Sequence, residues 1–234
     1  MHLPNAVKNI IIINVLLFLA SQVMPQLDYA LAGFYYQSPH FRPWQIVTHM
    51  FMHGGFAHIF FNMYALFIFG SELERRWGSR RFLIYYMVCG LGAFFLHELV
   101  NYYEIHQLMH QLGNDEIRLV YEQGSSVLLE GKNYSDPAMG ALNSAINTPV
   151  VGASGAVFGL LLAFGMLFPN VELMLLFPPI PIKAKWFVLI YGAIEFVLAM
   201  RHSANDNVAH YAHLGGMIFG YLLLKFWQKR FGSV

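Results

Sequence analysis

Residues 152–169 read GASGAVFGLLLAFGMLFP, a run with no charged side chain and close to the ~20 apolar residues that cross a bilayer as a helix. Ser154 stands near its start. A second apolar run, 209–228, carries Ala212-His213-Leu214-Gly215-Gly216 near its own start. A hydroxyl and an imidazole at the ends of two such helices are costly in hydrocarbon and mark a functional site. If the two helices touch, Ser154 and His213 form a nucleophile and its base.

Composition agrees with a chain that lives in lipid. Hydrophobic residues make up 57% of the 234 and charged residues 12%, against about 25% charged for a soluble domain. The net charge is +1, and no basic run tracks a nucleic-acid backbone, so no nucleic-acid partner is expected. The single cysteine, Cys89, lies in an apolar segment and reads as packing. Near the N-terminus, Lys8 precedes the apolar stretch from Ile10 to Ala20. No small-x-small cleavage site follows, since the chain continues Ser21-Gln22-Val23-Met24-Pro25. This segment is therefore expected to be a retained first span with Lys8 snorkelling to the interface.

Candidate spans at 7–24, 56–74, 81–101, 152–169, 184–201 and 209–228 predict an all-α, polytopic bundle of six transmembrane helices in a single domain. The loop 169–185 contains Pro178-Pro179-Ile180-Pro181, which ends any helix there. With six spans both termini share one side with the loops 71–81 and 169–185. That side collects ten of the fourteen Lys and Arg residues, leaving Arg42, Arg118, Lys132 and Arg201 opposite. The positive-inside rule then makes both termini cytoplasmic, in the plasma (inner) membrane. Residues 101–149 become an extended extracytoplasmic insertion between the third and fourth spans. It is mixed and mildly acidic, with helical character from Glu116 to Leu129, and packing over the outer bundle face is favoured over recruitment of substrate.

This orientation brings the unusual polar residues to one level. His58 and Asn62, spaced i, i+4, share a face in the outer half of the second span. Ser154 lies in the first turn of the fourth and His213 about one turn into the sixth. Histidine activates serine. The Asn62 amide, an imidazole N–H of His58 and the helix-terminal N–H of Ser154 can then meet an oxyanion. Gly152 and Gly155 allow close backbone approach, and Gly216-x-x-x-Gly220 is a packing motif that brings the sixth helix against the fourth. Singly, the Gly-x-Ser-Gly run also fits small-residue packing, His58 a structural histidine and Asn62 a helix bridge. Their common depth is what those separate readings leave unexplained.

With these residues in place the sequence closely resembles the rhomboid family of intramembrane serine proteases. The resemblance is carried by His49, His53, His58 and Asn62, by Glu74-Arg75-Arg76-Trp77-Gly78-Ser79, by Gly152-Ala153-Ser154-Gly155, and by Ala212-His213-Leu214-Gly215-Gly216-Met217-Ile218-Phe219-Gly220. It implies a Ser154–His213 dyad without a required aspartate, and an oxyanion site of His58, Asn62 and the Ser154 backbone. It also implies that loop 25–48 lies partly in the membrane beside the site, and that the fifth helix and residues 201–208 gate entry. Transmembrane protein substrates would be cut near the outer face, with no cofactor and no metal. Phe158 departs from the pattern, standing where some members carry a tyrosine stacked on the imidazole; the aromatic face is kept and the hydroxyl lost. The insertion is longer than in compact bacterial members.

Three other readings compete. A catalytically inactive, client-binding rhomboid-like protein is expected to lack nucleophile or base, and both are present. A zinc protease would need a second histidine after His97-Glu98-Leu99-Val100-Asn101, while His210 and His213 have no evident third ligand. Glu195 in the fifth span suggests a transporter, but no inverted repeat accompanies it; it is expected to be neutral or paired within the bundle. Asp206, seven residues before His213, is not taken as catalytic. Nothing in the sequence specifies an oligomeric state.

Overall fold

Apolar on every side, the first segment forms helix α1 (Asn5–Val23). In the computed structural model, which describes residues 2–174, 179–201 and 209–232, its inward stripe is Val7, Ile10, Asn14 and Ser21. That spacing keeps one face on a neighbouring helix. The start of α1 is held by a carboxylate far away in sequence. The amides of Ala6 and Val7 donate to the two oxygens of Glu74 at 2.9 and 2.8 Å, and Ser79 Oγ donates to Glu74 at 2.6 Å. An anion on the unpaired amides of a helix N-terminus is a favourable cap.

Two short helices, α2 (Gln26–Leu31) and α3 (Gln45–Thr48), shape the following loop. Next come α4 (Phe56–Ala65), a π turn over Leu66–Gly70 and α5 (Ser71–Trp77), which together form one continuous helix of 22 residues. Gly78, with φ of 76°, reverses the chain into α6 (Ser79–Met109), 31 residues long. The third span was expected to stop near residue 101. It runs on because residues 101–109 contain neither Gly nor Pro, so the helix outlasts its lipid-like stretch.

The insertion is ordered. It holds α7 (Asn114–Leu129) and α8 (Pro137–Asn147), the latter capped by Asp136, whose carboxylate accepts from the Met139 amide at 2.9 Å. These helices share a small core of their own in which Ile105, Val120, Met139, Leu142 and Ile146 surround Tyr35 from the first loop. Tyr121 donates to Gln37 at 2.9 Å, Ser38 to Asn147 at 3.2 Å, and Gly33 and Val150 exchange backbone hydrogen bonds at 2.9 and 2.7 Å.

After α9 (Ser154–Leu167), an antiparallel pair joins β1 (Glu172–Met174) to β2 (Pro181–Lys183). The proline-rich loop was expected to end any helix there, and Pro178 lies outside the described residues. Helices α10 (Ala184–Arg201) and α11 (His210–Phe231) complete the chain. The protein is an all-α membrane bundle. Among the described helices, Asn5–Val23, Phe56–Trp77 and Ser79–Met109 are long and apolar enough to cross a membrane, and Ser154–Leu167 is apolar but shorter.

At the centre α11 packs on α6 and α9. A Cβ on Gly216 would overlap the carbonyl of Gly155, so the sixth and fourth segments meet backbone to backbone. Gly220 instead faces Tyr85 and Cys89 of α6, which divides the small-residue motif between two neighbours.

Candidate active site

The chain reaches Ser154 along a segment pinned on both sides. Val150 is paired with Gly33, and the Gly152 amide donates to the His49 carbonyl at 2.9 Å. Gly152 has φ of 129°, a conformation open mainly to glycine. A Cβ there would lie 2.7 Å from His58 Nε2 and 3.4 Å from Ser154 Oγ, so the His58 ring sits against Gly152 beside the serine hydroxyl. Ser154 is the first residue of α9, with Ala153 as its N-cap. Its own N–H therefore has no intrahelical partner.

Asn62 follows His58 by one turn of α4 and is buried, and among the described residues its side chain makes no hydrogen bond. Its amide is free to donate. His53, also buried, meets the His58 ring edge-on at 5.0 Å. His49 turns away from this group: its Nδ1 pairs with the Gln45 carbonyl at 2.8 Å and its ring lies on Phe94 at 4.6 Å.

His213, in the first turns of α11, has Nε2 3.0 Å from Ser154 Oγ. Its ring stacks on Phe158 at 4.1 Å and 10°, and Phe158 stacks in turn on Tyr191 of α10 at 5.2 Å and 5°. Gly155 lies against Ala93 of α6 and near the Ala212 carbonyl, and with Gly216 it allows the close approach that brings Ser154 and His213 together.

On its other side, His213 Nδ1 lies 2.8 Å from Glu195 Oε2. The same oxygen lies 2.6 Å from His210 Nδ1. As a carboxylate Glu195 only accepts, which puts the proton on Nδ1 of His213 and leaves Nε2 to accept from Ser154. The sequence reading left Glu195 without a role. A lone acidic residue inside an apolar helix was the available signal, but which way it points depends on the packing of α10. Asp206, the other carboxylate considered, lies outside the described residues, as do 202–208 of the expected gate.

Glu195, His210 and His213 also offer three ligand atoms within 4.8 Å of one another, supplying the third ligand that the sequence did not reveal. Their 2.6 and 2.8 Å contacts are hydrogen-bond distances. Ligands around a tetrahedral zinc, with bonds of about 2.0–2.1 Å, sit roughly 3.3 Å apart. In this structure the three side chains are joined by hydrogen bonds.

Comparison with known proteins agrees with this architecture. A Rhomboid domain family model matches residues 40–229. The putative rhomboid protease YdcA of Bacillus subtilis is 28% identical over 77% of this chain and 65% of its own length. Rhomboid protease AarA of Providencia stuartii is 26% identical over 77% of this chain and 54% of its own. An uncharacterized mitochondrial rhomboid protein of Schizosaccharomyces pombe is 28% identical over 81% of this chain and 53% of its own. The chain thus spans between about half and two thirds of the length of these relatives. Since the family model takes in most of the sequence, from the loop before α3 to the last turns of α11, the chain belongs to the rhomboid family.

Proposed function

We propose that this chain is an intramembrane serine endopeptidase that cuts transmembrane segments of membrane proteins. The observation that carries this reading is the 3.0 Å approach of Ser154 Oγ to His213 Nε2 at the start of an apolar helix. His213 takes the Ser154 proton as Oγ attacks the substrate carbonyl, and the Oγ–C bond forms. The negative oxygen is received by the Ser154 N–H, the His58 ring and the Asn62 amide. Collapse breaks the C–N bond, Nε2 returns its proton to the leaving amine, and water then hydrolyses the acyl-enzyme with His213 again as base. Support comes also from the relatives whose names include rhomboid protease.

In this proposal both termini are cytoplasmic and the Ser154 end of the bundle faces outward, following the distribution of Lys and Arg. The plasma membrane is the expected site, although several relatives are named as mitochondrial. Labelling with a serine-directed fluorophosphonate in detergent tests the chemistry. Wild type should label, Ser154→Ala and His213→Ala should not, and EDTA should leave labelling unchanged. Equal labelling of Ser154→Ala would overturn the assignment, and a folded wild type that fails to label points to the inactive, client-binding alternative.

A further inference from the structure

We propose that Glu195 is the positioning residue for His213, so that the reacting group of this chain is a relay Ser154–His213–Glu195 rather than an isolated pair. This rests on the reading of Ser154 and His213 as nucleophile and base. Helix α10 buries Ala184, Val188, Glu195 and Ala199 among its 18 residues, at spacings of four, seven and four. These positions form one stripe, and Glu195 is its only polar member. Its contacts with His210 and His213 aim it at α11, and its 5% exposure removes it from solvent.

A carboxylate in that position is expensive unless it is paired and hydrogen-bonded. Glu195 is paired twice through one oxygen, with His210 Nδ1 at 2.6 Å and His213 Nδ1 at 2.8 Å. The second contact fixes both the tautomer and the rotation of the base, whose opposite nitrogen faces Ser154 at 3.0 Å. Stacking on Phe158 fixes the plane of the ring but not which nitrogen carries the proton. Among the described residues, Glu195 does that. When Nε2 takes the serine proton, the imidazolium gains a charge while its Nδ1–H remains on Glu195. The carboxylate keeps its charge throughout and no further proton moves. Among the described residues, the charged and titratable groups around this cluster are His210 beside Glu195, Tyr191 one turn earlier on α10, and His58 facing His213 from α4.

The proposal differs from a structural ion pair in what it moves. Glu195→Gln keeps the shape and removes the charge that holds the tautomer. Its kcat on a transmembrane substrate should fall by up to about 10⁴-fold with KM nearly unchanged, the loss seen when the orienting carboxylate of a serine–histidine relay becomes an amide. The rate of fluorophosphonate labelling should fall with it, while the melting temperature measured alongside stays that of a folded protein. Glu195→Asp, which keeps the charge but withdraws it from Nδ1, should recover part of the rate and remain about 10- to 100-fold below wild type. This second variant carries the test if Glu195→Gln fails to fold. Either variant at the wild-type kcat and labelling rate overturns the proposal, as does a loss confined to KM. Activity lost in EDTA and restored by zinc would overturn it in favour of a metal at the same three residues. A wild type that does not label defeats the nucleophile assignment itself; one that labels as fast as Glu195→Gln defeats only the role of Glu195.

Discussion

Replacing Glu74 by Gln should lower stability without touching chemistry, and the size of the effect can be worked from its partners. One carboxylate oxygen accepts from Ala6 N and Ser79 Oγ, the other from Val7 N. Glutamine has a single acceptor oxygen. In its better orientation it serves the first pair and turns an NH₂ toward the Val7 amide. An orphaned buried donor costs about 1–3 kcal/mol. Loss of the negative charge at a helix N-terminus adds about 1 kcal/mol, for a total of roughly 2–4 kcal/mol. At about 2–4 °C per kcal/mol for a chain of this length, the melting temperature should fall by roughly 5–15 °C. Fluorescence reports this directly, because Trp77 packs edge-on against Trp227 at 5.7 Å close to the substitution. His58 lies sixteen residues before Glu74 on the same continuous helix, about 24 Å along its axis, so fluorophosphonate labelling well below the melting point should be unchanged. A melting temperature within about 1 °C of wild type would refute the capping argument. Loss of labelling without a thermal shift would refute the separation of the two ends.

Gly152→Ala places a Cβ 2.7 Å from His58 Nε2 on a backbone with φ of 129°; about 1–3 kcal/mol of strain and a displaced His58 should reduce labelling on the order of 10²-fold, and labelling at the wild-type rate would remove His58 from the site. Asn62→Ala should lower kcat roughly 10- to 1000-fold, as for one lost oxyanion donor, whereas an unchanged rate would assign Asn62 to packing alone. In the first loop, burial and then the nearby Arg42 charge hold the His40 imidazole below its ordinary value, with Nε2 on Ser125 at 2.5 Å. The unfolded chain therefore takes up the proton first, so this contribution to stability is complete above about pH 6.5 and is lost as the pH falls below it. Hydrogen exchange in α7 and the first loop, corrected for intrinsic rates, should quicken between about pH 7 and pH 5, and His40→Gln should flatten that dependence.

Much of the bundle is legible in the sequence because apolar runs of membrane length leave few alternatives to helix. All six expected segments are helical, and the i, i+4 spacing of His58 and Asn62 gives their shared face directly. What the sequence hides is phase and distance. Glu195 is visible as an anomaly, but its direction follows from how α10 docks, which one apolar helix does not reveal. Glu74 reaches α1 across 67 and 68 residues, beyond any local pattern. The π turn at Leu66–Gly70 and the antiparallel pair at Glu172–Met174 and Pro181–Lys183 have no periodic signature. The insertion shows its helices through capping residues such as Asp136, yet its attachment to Tyr35 depends on contacts across the fold.

That attachment limits how such a chain can diverge. Tyr35 fills a core whose other walls come from residues 105 to 146, and Gly33 is laced to Val150, four residues before Ser154. The first loop, the insertion and the approach to Ser154 are thus physically coupled rather than exchangeable parts. A chimera that imports residues 101–149 alone into a relative would carry a cap with a hole in its centre. A relative that sheds the cap must find a new way to hold the strand leading to its serine. Compatible variation is expected as paired changes across these segments, so recombination boundaries should fall between functional ends of the bundle and not within this one.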